Sequence, residues 1–239
     1  MTEQLSDVQR ETLRAFCDTI VPPIERADDP DGFWGRAATD LGVDRGIEDL
    51  LATIPDPEVR AGLRQLLDVL DDGGFRRAPT VLSREQMLRN FALASPEAAQ
   101  GVAALTNMTL FLYYGAPDPQ TGRNPNWITF GYPGPAGVPA EVPKAISPRV
   151  PAGEEEALEA DVCVVGSGAG GGVIAGTLAR NGLRVVVLEA AGYFNESDFG
   201  QLELPAYQDM YWRGGPTPTA EGNVGLLAGT TLGGGTTIN

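Results

Sequence analysis

The chain has 239 residues, of which 42% are hydrophobic and 21% charged, enough for one large domain or two ordinary ones with cores of their own. Its formal net charge of -15 is the wrong sign for a polyanionic partner, because nucleic-acid binding needs surplus Lys and Arg to release counterions, and the same carboxylates are repelled by an anionic membrane surface. Only Cys17 and Cys163 are present, far apart and in unlike settings, so neither a disulfide framework nor a thiolate metal site is expected, and both read as small buried apolar residues; histidine is absent altogether.

The start of the chain, "MTEQLSDVQRETL", is acidic and amphipathic, with neither the basic beginning nor the apolar centre of an export signal, so a cytoplasmic location is the expectation. In "LSDVQRETLRAFCDTI", Ser6 stands three residues ahead of Gln9 at capping-box spacing, and Leu5, Val8, Leu13, Phe16 and Ile20 form a helical stripe that Pro22 and Pro23 stop. Two short helices are predicted around Phe33 to Leu41 and Val43 to Ile54. A longer one opens with Asp56 as N-cap and Pro57 at the first helical position, and closes at Gly73 and Gly74. Ser83 and Gln86 predict a second capping box. Ser95-Pro96 opens a last helix whose expected stop is a left-handed Gly115. Its apolar part, "GVAALTNMTLFLYY", is shorter than a membrane span and carries Thr106, Asn107 and Thr109, so it reads as a buried helix.

From Ala116 to about Pro151 a proline recurs every few residues, which removes donors and fixes φ, so regular structure cannot propagate. The stretch reads as a linker, but Trp127, Ile128, Phe130 and Tyr132 are too apolar for a solvated tether and are expected to pack on a neighbouring domain. After "GEEEALEA" the pattern changes to a β-branched run, "ADVCVVG", a helical stretch ending at Gly182, and a second apolar run, "LRVVVLEA". Strand, helix and strand in about thirty residues make a βαβ unit with both strands predicted buried. The fold class is therefore α+α/β. An all-α domain spans residues 1–115, a Pro-rich linker packing on the domains spans 116–158, and an incomplete Rossmann-like (βαβ) domain spans 159–239.

Gly166, Gly168 and Gly171 fall in G-x-G-x-x-G register at the first strand-to-helix junction. In that register the first glycine permits the tight turn, the second admits a pyrophosphate to the backbone, and the third lets helix and strand pack closely. Glu189 ends the second strand, where an acid accepts hydrogen bonds from an adenosine ribose. A glycine-rich turn also serves packing alone, but the flanking strand, the helix and the acid together favour a dinucleotide, with the diphosphate at the helix N-terminus. This pattern does not separate FAD from NAD. A second cluster, "LLAGTTLGGGTTIN", adds a side-chain-free surface at Gly233, Gly234 and Gly235, with hydroxyls at Thr236 and Thr237 and an amide at Asn239. Such a surface suits a cofactor lying flat on backbone; a glycine-rich hairpin is the alternative.

The two glycine stretches together resemble the FAD-dependent glucose-methanol-choline (GMC) oxidoreductases. Gly229, Leu232, Gly233, Gly234, Gly235, Thr236, Ile238 and Asn239 fill the places of that family's amino-terminal signature, with Thr230 departing from its usual Arg, Lys, Asn or Cys. "LEAAGYFNESDFGQLELPAYQDMYWRGG" is similar to the long-chain alcohol oxidase subgroup. "LRAFCDTIVPP" and "NWITFGYPGP" are similar to that subgroup's helical extension and to the small subunit of gluconate dehydrogenases. The resemblance implies FAD as cofactor, with its diphosphate held by Gly166, Ser167, Gly168, Ala169, Gly170 and Gly171 and its adenosine ribose by Glu189 and Ala190. The riboflavin side is implied for Gly229, Gly233, Gly234, Gly235, Thr236 and Asn239. It further implies oxidation of the CH–OH group of an alcohol by hydride transfer to flavin.

In that family a histidine takes the hydroxyl proton, as suits imidazole near neutral pH. None exists here, and no catalytic residue is assigned; Lys144, Tyr207 and Tyr211 have no pairing that supports a role as base. The expectation is an amino-terminal piece that associates with the rest of a longer enzyme and meets its alcohol through a missing carboxyl-terminal domain. Two strands and one helix cannot bury both faces of a parallel sheet, so the second half is expected to be poorly stable alone. A nicotinamide-binding dehydrogenase module and a non-catalytic helical subunit of a dehydrogenase complex remain open as alternatives.

Overall fold

A computed structural model describes residues 4–54, 56–151, 153, 156–219 and 224–238. About half of the chain is helical, and it divides into two compact units, Met1–Gly134 and Pro135–Asn239.

The first unit is built from helices α1 (Asp7–Ile20), α2 (Val43–Thr53), α3 (Pro57–Asp72), α4 (Val81–Ala92) and α5 (Pro96–Gly115). In α1 the Ser6 hydroxyl accepts from Gln9 N–H while the Gln9 side chain accepts from Ser6 N–H, so two donors with no intrahelical partner are satisfied reciprocally. The apolar stripe of α1 delivers Leu13, Phe16 and Cys17 into the core, where they join Ile47 of α2, Leu66, Leu67 and Leu70 of α3, and Leu105, Leu112 and Tyr113 of α5. Both α1 and α5 touch α2, α3 and α4, so these two helices organise the unit. Cys17 lies 3.7 Å from the Thr109 hydroxyl, and burial pushes its thiol up to about 12, which keeps it inert.

Three local expectations are corrected. Helix α4 starts one turn earlier than predicted, because the Thr80 hydroxyl accepts from Ser83 N–H and the Ser83 hydroxyl accepts from Thr80 N–H; Ser83 answers a cap instead of being one. Between Phe33 and Leu41 only a 3-10 turn, Ala38–Leu41, forms. Gly115 is not left-handed: the chain leaves α5 extended at Ala116, with φ -74° and ψ 127°. The exposed end of α5 is closed from a distance instead. The Asn124 amide donates to the carbonyls of Tyr113 (3.0 Å) and Ala116 (2.7 Å), Asn126 donates to Tyr113 O (2.9 Å), and Trp127 Nε1 donates to Tyr114 O (2.8 Å). Trp127 is therefore buried in the helical unit, and Phe130 sets its ring against Phe33 and Tyr114, whereas Ile128 is 72% exposed.

In the second unit, strands β1 (Val162–Val165) and β2 (Val185–Leu188) pair in parallel with Val162 opposite Val185, and helix α6 (Ala169–Arg180) crosses between them. Gly182, at φ +87°, closes α6, with its N–H on Ala179 O and the Leu183 N–H on Leu178 O. The predicted burial of both strands is corrected: Cys163, Val165, Val187 and Leu188 are exposed, because one helix covers only one face of the pair. Cys163 is thus a surface residue. A helix α7 (Glu203–Met210), a hairpin of β3 (Thr217–Pro218) with β4 (Gly225–Leu226), and a single turn α8 (Gly235–Ile238) complete the unit.

The second part of the Pro-rich stretch is strapped along residues 193–201. Its prolines leave few donors, and side chains take those that remain: Gln201 accepts from Ala136 N–H, Ser197 Oγ accepts from Val142 N–H, and Asn195 donates to Val142 O (2.8 Å). Lys144 pairs with Asp198 at 3.0 Å and donates to Tyr193 O. No helix among the described residues is long and apolar enough to cross a membrane.

Replacing Asn124 by Ala removes the donor to the Ala116 carbonyl, leaves Tyr113 O with Asn126 alone, and is expected to cost about 1–3 kcal/mol. Ile128→Ala is expected to stay within about 0.5 kcal/mol. Urea unfolding of the full chain followed by tryptophan fluorescence separates the two variants.

Candidate functional site

The β1–α6 junction is built by its glycines. Gly166 turns the chain at φ +89° while its N–H still reaches Leu188 O (2.8 Å), so the turn begins before the strand pairing ends. A Cβ on Gly171 would fall on the Gly166 carbonyl oxygen, inside van der Waals contact, and 3.3 Å from Val164 Cγ1; the third glycine is therefore required by packing alone. Gly168 is the N-cap and has no side chain to offer, so the N–H groups of Ala169, Gly170 and Gly171 in the first turn of α6 lack an intrahelical acceptor. Around Gly170 the space in the direction of a side chain is open to 4 Å. These donors and the positive end of a twelve-residue helix give the turn a positive potential of the kind that suits an anion.

The second glycine cluster docks against this turn. A Cβ on Gly234 would lie 3.1 Å from Gly168 Cα, and one on Gly168 would lie 3.9 Å from Gly233 O, so the two backbones meet with no side chain between them. The second turn is itself held tightly. Gly233 (φ +96°) and Gly234 (φ +60°) are left-handed, and a Cβ on Gly229 would come within 2.9 Å of Gly234 O and 3.0 Å of Gly235 Cα. Buried Thr231 donates to Gly234 O (3.0 Å), Thr236 to Gly233 O (2.5 Å) and Thr237 to Leu232 O (2.8 Å). The segment leading to this turn is stitched in by Leu232 N–H to Gly192 O and Thr230 N–H to Met210 O, both at 2.8 Å.

Glu189 follows β2 directly. Its Oε2 accepts from Ser167 N–H (2.9 Å) and from the Ser167 hydroxyl (2.6 Å), and its Oε1 accepts from Ala191 N–H (3.1 Å). The Ser167 hydroxyl, followed by the Ser167 N–H, holds the Glu189 carboxyl below the ordinary glutamate range. Gly166, Ser167, Gly168, Ala169, Gly170, Gly171 and Glu189 thus share one corner with Gly229, Gly233, Gly234, Gly235 and Thr236. Ala190 continues the chain next to Glu189, and Asn239 lies outside the described residues. Sequence reasoning missed Thr231, whose neighbours alone make it a latch of the second turn. No group of His, Cys, Asp or Glu suited to a metal occurs among the described residues.

No family model matches this chain, and no solved structure matches it significantly. It is 50% identical over 82 residues, 34% of this chain and 11% of the relative, to a long-chain-alcohol oxidase of Arabidopsis thaliana, and 44% identical over 82 residues to another. Over 232 residues, 95% of this chain and 34% of the relative, it is 33% identical to an uncharacterized GMC-type oxidoreductase of Mycobacterium tuberculosis. Over nearly its whole length the chain is thus similar to a GMC-type oxidoreductase, and over about a third of it to long-chain-alcohol oxidases. The match spans about a tenth of the length of the plant relatives and a third of the mycobacterial one.

Gly171→Ala is expected to unfold the β1–α6 turn, whereas Gly170→Ala raises local stability by about 0.5–1 kcal/mol through helix propensity. Amide exchange across residues 162–180 distinguishes the variants. Because the folded-state titration of Glu189 is depressed, its contribution is complete above the ordinary glutamate value and is lost as pH falls through the lower folded one. Glu189→Gln is therefore less stable than wild type at neutral pH, and in acid urea titrations the gap closes.

Proposed function

We propose that this chain carries the FAD-binding part of a GMC-type oxidoreductase that oxidises the CH–OH group of an alcohol, a long-chain alcohol in particular. The observation that carries the reading is the meeting of the two glycine turns at Gly168 and Gly234 beside the uncapped N-terminus of α6. The residues fit the cofactor. Ala169, Gly170 and Gly171 present N–H groups to a diphosphate, and Glu189 presents a charged acceptor to the adenosine ribose. Gly229, Gly233, Gly234, Gly235 and Thr236 give a flat backbone surface to the riboflavin side, with Asn239 following them in sequence.

Bound flavin would accept the hydride of the alcohol carbon. This chain's own part is to bind and orient. It has no histidine, and the proposal assigns the proton-accepting base and the alcohol pocket to polypeptide beyond these residues. The great length of the relatives supports that division, and the printed names of the Arabidopsis relatives support the long-chain substrate. The same proposal places the protein in the cytoplasm.

Titration with FAD is expected to quench flavin fluorescence to a one-to-one end point that excess NAD does not reverse, with the flavin retained through gel filtration. Binding of NAD with no uptake of FAD would overturn the reading and leave a nicotinamide module in its place.

A further inference from the structure

We infer that Ser167 is a positioning residue and not a ligand of the diphosphate: its hydroxyl latches the second glycine turn to Glu189 and thereby fixes the carboxylate for the adenosine ribose. The inference rests on the cofactor reading above. It starts from proton counting. A hydroxyl has one proton and two acceptor lone pairs, a backbone N–H can only donate, and an ionised carboxylate can only accept. Gly233 N–H lies 2.8 Å from Ser167 Oγ, which lies 2.6 Å from Glu189 Oε2. One assignment satisfies both contacts: Gly233 donates to the hydroxyl, and the hydroxyl donates to the carboxylate.

The Ser167 N–H is committed as well, to the same Oε2 at 2.9 Å. Both donors of this residue are thus directed at Glu189, and neither is left for phosphate oxygens. The diphosphate then falls to the N–H groups of Ala169, Gly170 and Gly171. The relay joins three pieces of chain that are far apart in sequence, Ser167 with Glu189 and Ser167 with Gly233, through bonds of which those to the carboxylate are charge-assisted. Glu189 Oε1, held by Ala191 N–H at 3.1 Å, is the oxygen on which the latch does not converge, and it is the one presented to a ribose hydroxyl.

Four versions of the full chain test this: wild type, Ser167→Ala, Glu189→Gln and the double variant, each titrated with FAD by flavin fluorescence. Ser167→Ala is expected to weaken FAD binding about tenfold in the wild-type background and less than threefold in the Glu189→Gln background, since its effect passes through the carboxylate. A Ser167→Ala variant that binds as wild type does, or that loses the same factor in both backgrounds as a direct phosphate ligand or a purely structural residue would, overturns the inference. In the flavin-free protein, Ser167→Ala is also expected to speed exchange of the Gly233 amide at least tenfold, and unchanged protection overturns the latch. Wild type that takes up no FAD sinks the cofactor reading instead, while the Gly233 amide still decides whether the latch exists.

Discussion

The second unit depends on a place where two stretches of main chain come together with no side chains between them. Gly234 approaches Gly168 so closely that a single added carbon would sit 3.1 Å from the opposing Cα. Backbone-to-backbone contact of this kind leaves polar N–H and C=O groups facing one another, and each needs a partner or a ligand. Thr231, Thr236 and Thr237 turn their hydroxyls back onto the carbonyls of the second turn, which uses up its acceptors locally. At the first turn the donors of α6 stay unspent because Gly168 brings no capping side chain. The corner is therefore rich in free N–H groups, the right electrostatics for a diphosphate in a chain whose overall charge is strongly negative.

The Glu189 carboxylate in this corner is tied down. Glu189 gives one oxygen wholly to Ser167, and its negative charge is balanced by hydrogen-bond donors of Ser167 and Ala191. A carboxylate held this way has little side-chain freedom left, so its ordering cost is met during folding. In the helical unit a similar economy operates with uncharged groups. Two asparagines and a tryptophan indole supply the donors that the carbonyls of α5 lack, which anchors the segment around Trp127 to that helix.

Legibility in the sequence followed the range of the interaction. Ser6 with Gln9, Asp56 with Pro57, and Gly182 after α6 were readable because each acts within one turn of its own position. The β1–α6 turn was readable for the same reason: a Cβ on Gly171 would collide with the Gly166 carbonyl, only five residues back. Where two local solutions competed, the pattern misled. Thr80 and Ser83 both have the chemistry of a cap, and the earlier one won because Ser83 could answer it. Gly115 does end α5, but without the left-handed turn its residue type suggested, because Asn124 and Asn126 supply the donors that turn would have brought.

The chain order of small, apolar and capping residues by itself determined helices α1, α2, α3, α5 and α6, the βαβ unit and the glycine bend between β1 and α6, since steric and hydrogen-bond rules at short separation leave few choices. Tertiary structure decided the rest: that the bends touch, that Ser167 serves Glu189 and Gly233, and that Cys163 faces outward on a strand covered from one side. Those facts depend on hydrogen bonds between residues 22 and 66 positions apart, and on which face a lone helix happens to cover. No local rule reaches across such distances, because the free energy of the contact exists only once the intervening chain has folded.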